Sequence, residues 1–178
     1  MRPMLMEELD DYSRVVTPLI LAKFPDWESL AELSPPSAGE RRYVTFSIPC
    51  PSRAVEHGLW VSTADGELTV GFHTHHVHFN DYSGGSGPVQ IKAGLEYVSD
   101  LLGERLGVLS VYRVGRLAGS ISLPLPSWGR LTELFSGTPE SLTAELFVRC
   151  ERFTVRGWTG RFDRDEANSP DAAERADR

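Results

Sequence analysis

Residues 57–79 read His57-Gly58-Leu59-Trp60-Val61-Ser62-Thr63-Ala64-Asp65-Gly66-Glu67-Leu68-Thr69-Val70-Gly71-Phe72-His73-Thr74-His75-His76-Val77-His78-Phe79, and the fold class follows from them. Asp65-Gly66 separates two runs in which apolar residues alternate with polar or small ones. An Asp-Gly pair suits a two-residue hairpin loop, because both loop positions need φ > 0. With Asp65 and Gly66 as the loop, Ala64 faces Glu67, Val61 faces Val70 and Leu59 faces Phe72. This register puts Leu59, Val61, Leu68, Val70 and Phe72 on one face, as a half-buried hairpin requires. Trp60, Ser62, Thr69, Gly71 and His73 take the other. Trp60 then lies across from Gly71, where its indole can cover bare backbone.

All five histidines fall in the same stretch. They also break its phase: even positions are apolar up to Phe72, whereas the odd positions Val77 and Phe79 are apolar afterwards. A β-bulge near His75-His76 restores the phase and gathers His73, His75, His76 and His78 on one face. A strand without a bulge sends His73 and His75 one way and His76 and His78 the other.

Working outward, a helix is expected over 4–24, with Leu5, Leu9, Tyr12, Val16 and Leu19 as its apolar stripe and Thr17-Pro18 as a kink or restart. Residues 34–40 form a loop. Tyr43–Cys50 is a strand with Val44, Phe46, Ile48 and Cys50 on one face, and Pro49 and Pro51 confine its end to an edge or irregular position. Beyond the central hairpin, the glycine-rich 80–87 leads into a helix opening at Pro88, with Ile91, Leu95, Val98 and Leu102 on one side. A second hairpin spans Val108–Leu123 and turns at Gly115-Arg116, with Val108, Tyr112, Val114, Leu117, Ile121 and Leu123 on one face. A last strand starts at Leu146, with a bulge or break near Glu151-Arg152. Hairpins outnumber possible βαβ units. The expectation is an α+β fold: a mostly antiparallel sheet of five to six strands with two helices packed on one face. A single domain is expected over 1–162, and the apolar-poor 163–178 reads as a disordered acidic tail.

The chain has 178 residues, 40% of them hydrophobic, enough for a real core. Its net charge of −7 disfavours nucleic acid as a partner. Residues 1–40 hold eight acids against three bases, so the negative charge concentrates there. Such a segment is either a solvated helix surface or an attractor for a basic partner. Cys50 and Cys150 read as small buried hydrophobes. The N-terminal Met1–Met6 has no secretory pattern and no run is long enough to span a membrane, so a cytoplasmic location is expected.

Few motifs carry chemistry. His73, His75, His76 and His78 are the residue type for a zinc site, and a metal-dependent hydrolase is one reading of them. However, Asp81 is the sole acid close in sequence, and no His-Glu-x-x-His element accompanies them. No Gly-x-Ser-x-Gly occurs, and nothing marks Cys50 or Cys150 as activated. The loop 83–88 lacks the Lys-Ser/Thr of a phosphate-binding loop. No catalytic residue, cofactor or bound metal is expected.

Leu59-Trp60-Val61, Asp65-Gly66-Glu67-Leu68-Thr69-Val70-Gly71-Phe72 and His76-Val77-His78-Phe79, followed by a helix and another hairpin, resemble the small bacterial immunity proteins of polymorphic toxin systems, over roughly residues 55–115. His73, His75 and the long N-terminal helix lie outside that pattern. The resemblance implies a non-enzymatic protein that binds and neutralises a cognate protein toxin, encoded by a neighbouring gene, by covering its active or binding surface. Trp60, His73, His75, His76 and His78, with the acidic Glu7, Glu8, Asp10 and Asp11, are the candidate partner-binding residues. A structural or regulatory protein without enzymatic activity is a third reading.

Overall fold

The computed structural model describes residues 6–35, 41–80, 87–125 and 150–167. The fold is α+β, but with two antiparallel sheets in place of the single sheet expected. The chain divides into two compact units, residues 1–50 with 56–100 and residues 51–55 with 101–178. No helix among the described residues is long and apolar enough to cross a membrane. Cys50 and Cys150 are both thiols.

In the first unit, strands β1 (Ala31–Leu33), β2 (Val44–Ile48), β3 (Leu59–Ser62), β4 (Leu68–Phe72) and β5 (His75–Phe79) pair in chain order. The central hairpin has the register expected from the alternation, with Trp60 opposite Gly71, Val61 opposite Val70 and Ser62 opposite Thr69. Asp65 (φ 58°) and Gly66 (φ 71°) both take the left-handed conformation that a tight Asp-Gly loop demands. Val44, Phe46, Leu59, Val61, Leu68, Val70 and Phe72 are all essentially buried and form the apolar face.

The histidine phase break is neither a bulge nor a continuous strand. The chain reverses at His73-Thr74, and Phe72 pairs with His75, Gly71 with His76, Val70 with Val77 and Thr69 with His78. A reversal changes which parity faces inward just as a bulge does, so the pattern alone does not separate the two. His73 accommodates the turn with φ 55°.

The N-terminal helix is shorter than expected. A 3-10 turn, Met6–Glu8, precedes α1 (Asp11–Lys23), and Asp10 caps α1 by accepting from Ser13 N at 2.7 Å. The buried face is also rotated from the expected stripe. Ser13, Val16, Thr17 and Ile20 point inward, while Leu19 is 46% exposed. The capped start explains the rotation, because Ser13 is drawn inward to meet Thr63 Oγ1 at 2.7 Å beside the β3–β4 turn. The 3-10 segment Pro25–Leu30 then brings Trp27 against Phe24 and to 6.1 Å from Phe46. The helices therefore do not pack equivalently on the sheet. Helix α2 (Gly87–Leu102) lies on the apolar face through Gly94, where a Cβ would meet Leu68 Cδ2 at 2.5 Å, and Tyr97 lies 5.7 Å from Phe79.

The second unit holds β6 (Leu106–Arg113), β7 (Arg116–Pro124), β8 (Arg152–Arg156) and β9 (Arg164–Ala167), in the order β7-β6-β8-β9. The β6–β7 loop is Val114-Gly115, one residue earlier than expected, and the register shifts between Val111 and Tyr112. Consequently Leu109 and Val111, with Phe153, Val155, Leu125 and Cys150, make the core, against which Ile121 and Leu123 pack. Val114, assigned to the apolar face by its parity, is instead 75% exposed in the loop. Residues 164–167 of the expected tail form β9, tied down where Asp165 accepts from the buried Arg156 at 2.8 Å. The expected strand start at Leu146 and the remainder of the tail lie outside the described residues.

Candidate functional site

The meander leaves one broad sheet face turned away from the apolar core. Across it run two rows set by the strand register: Thr45, Ser62, Thr69 and His78, and beside them Ser47, Trp60, Gly71 and His76. Trp60 is the one large aromatic in these rows. A Cβ on Gly71 would fall inside the Trp60 indole, so the ring lies flat over the bare β4 backbone. Its far side reaches towards His76, with ring centroids 6.4 Å apart. His76 and His78 are both exposed, and their rings meet edge to face at 5.0 Å.

Glu67, at the mouth of the β3–β4 turn, organises the His78 end. Its carboxylate contacts His78 Nδ1 and accepts from Thr69 Oγ1 at 3.0 Å and from Asn80 Nδ2 at 2.7 Å. Burial alone would raise the Glu67 pKa. The hydrogen bonds from Asn80, His78 and Thr69, together with the nearby His78 charge, outweigh that and hold the carboxyl below its ordinary value. Glu67 and Asn80 were not among the candidates read from sequence. The signal that would have found them is cross-strand pairing: once the His73-Thr74 reversal is placed, β5 returns beside the turn that carries Glu67.

Beside Trp60 the sheet end forms an open depression of about 370 Å³, lined by Ser47, Ile48, Pro49, Glu56, His57 and Leu59 among others. Gly58 shapes its floor, since a Cβ there would meet Ile48 O at 2.6 Å.

Of the sequence candidates, Trp60, His76 and His78 come together. His73 and His75 do not join them. His73 is only 6% exposed in the β4–β5 turn, where its Nδ1 accepts from Glu56 N at 3.0 Å and its backbone N–H donates to His57 O at 2.9 Å. His75 pairs with Phe72 and so shares the apolar-face parity. The acids are largely engaged within the fold. Asp10 caps α1, Glu8 pairs with Arg42 at 2.9 Å, and Asp11 lies 3.1 Å from Arg41 and 3.4 Å from Arg14. Glu7 sits exposed in the 3-10 turn before them. Among the described residues, no group of three or more His, Cys, Asp and Glu side chains is arranged to hold a metal ion.

These observations define an α+β protein that presents a polar sheet face with a tryptophan set in it. Comparison with known proteins adds no family: no family model, no curated protein and no solved structure matches the chain.

Proposed function

We propose that this is a binding protein of the immunity type, which neutralises a cognate bacterial toxin by covering its active or binding surface with the outer face of the five-stranded sheet. One observation carries the reading. Trp60 lies on a polar sheet face with its neighbours His76 and His78 exposed, which is the composition of an interface anchor and not of a core. Of the residues that carry the resemblance to immunity proteins, Trp60, Glu67, His76 and His78 lie on this face, while Leu59, Val61, Leu68, Val70 and Phe72 lie in the core.

The mechanism is steric and electrostatic. The rigid meander holds Trp60 flat, so the ring loses little freedom on binding. Glu67 fixes the His78 ring in the same way. The depression beside Trp60 receives a side chain of the partner. Glu7, exposed in the 3-10 turn, acts at longer range, steering a basic toxin surface toward the face in a salt-dependent manner. Co-expression in bacteria tests the reading. The wild-type chain should protect cells from the toxin encoded beside it, and Trp60→Ala should protect less at equal protein level. Equal protection by the variant would remove Trp60 from the mechanism.

A further inference from the structure

His76 and His78 stand two residues apart on β5, on the same side of the sheet, with ring centres 5.0 Å apart and ring planes at 85°. Two imidazoles bound through nitrogen to one tetrahedral ion, at about 2.0–2.1 Å each, have ring centres roughly 5 Å apart. The ring separation thus matches that of a shared ion, and turning one ring out of the edge-to-face contact brings a nitrogen of each to it. The second observation is the carboxylate behind them. Glu67 contacts His78 Nδ1, and Thr69 Oγ1 lies 3.1 Å from the same nitrogen. A carboxylate at Nδ1 keeps the proton there and leaves Nε2 as an outward lone pair, the arrangement that orients metal-binding histidines. Asn80 in turn holds that carboxylate at 2.7 Å. Among the described residues, His78 Nε2 and the His76 ring nitrogens have no hydrogen-bond partner.

We propose that His76 and His78 form a two-imidazole chelate for a borderline divalent transition-metal ion, Zn²⁺ or Cu²⁺, with Glu67 orienting His78 from behind. The site is smaller than the four-histidine cluster the sequence suggested, because His73 is spent on Glu56 N and His75 has the opposite facing. Water fills the remaining coordination positions, so the ion exchanges with solution and is not a resident cofactor. The site needs no toxin, and its test is independent of the immunity reading.

The test is calorimetric titration of the tag-free full chain with Zn²⁺ and, separately, Cu²⁺, with imidazole NMR signals followed in parallel. Binding should be tighter for Cu²⁺ than for Zn²⁺. His76→Ala and His78→Ala should each weaken Zn²⁺ by about tenfold or more. Glu67→Gln should weaken it by about tenfold, as loss of an orienting carboxylate does. His57→Ala should leave it unchanged, and the His76 and His78 signals should move on Zn²⁺ addition while His57 stays. Thermal melts of the ion-free variants establish that they are folded. Wild-type Zn²⁺ affinity in folded His76→Ala and His78→Ala, or no binding at millimolar Zn²⁺, would overturn the site. Unchanged affinity in Glu67→Gln would overturn the role of the carboxylate.

Discussion

Glu67 shows how one side chain can set both stability and presentation. Its carboxyl is depressed, so its contribution to folding is fully present above the ordinary 4.5 and is lost as pH falls through the lower folded value. Carboxyl NMR should therefore place the Glu67 titration below that of an unperturbed glutamate, and Asn80→Ala should move it up; an unmoved titration would detach Asn80 from the carboxylate. Gly71 is the second such residue. With no room for a Cβ under the indole, Gly71→Ala should cost about 1–3 kcal/mol or lift Trp60 off the sheet, visible as a lower denaturant midpoint or a shifted tryptophan emission. The Trp60–Gly71 pairing was legible in the sequence because an Asp-Gly loop sets the register for every residue on either side. The Glu67–His78 contact was not legible, because it depends on where the next strand turns back, and parity reads a turn and a bulge alike.

At the scale of elements, loops decide what the strands can do. Val114 and Gly115 both take left-handed φ, 50° and 68°, and a β-branched side chain resists that conformation. Val114→Asn should stabilise the chain by about 1 kcal/mol, measured by chemical denaturation; no gain would mean that Val114 is unstrained. The reverse change at the first hairpin, Gly66→Val, should destabilise by about 1–2 kcal/mol, since Gly66 is at φ 71°. Strands β2, β3 and β4 alternate cleanly in sequence and bury their apolar parity, and Ile91, Leu95 and Val98 of the α2 stripe are buried as expected, whereas Leu101 takes the buried place expected of Leu102. Strand β1, at three residues, is too short for alternation to register. In the N-terminal segment Leu9 and Val16 of the expected stripe are buried but Leu19 is not, because Ser13 and Thr17 share the inward face, and hydropathy does not anticipate the Ser13–Thr63 hydrogen bond.

At the scale of the whole molecule, sequence alternation establishes the α+β class but not the division into two sheets, because strand partners far apart in the chain leave no local trace. Strand β9 illustrates this. Its residues are polar enough to read as tail, yet Arg156, buried in β8, donates to Arg164 O at 2.9 Å and to Asp165 Oδ1 at 2.8 Å. Asp165→Ala should cost about 2 kcal/mol by removing a hydrogen bond to a buried cation, and thermal melting reads the loss directly. An unchanged melting temperature would show that the backbone carbonyls around Arg156 suffice. In the proposed function, the outer face of the five-stranded sheet recognises a protein toxin. The most direct measurement of it is the dissociation constant between the purified chain and the product of the neighbouring toxin gene, for wild type and Trp60→Ala. The expected result is a specific wild-type complex that Trp60→Ala weakens by at least about 2 kcal/mol while the free variant stays folded. No wild-type binding, or a folded Trp60→Ala that binds as tightly as wild type, would contradict it.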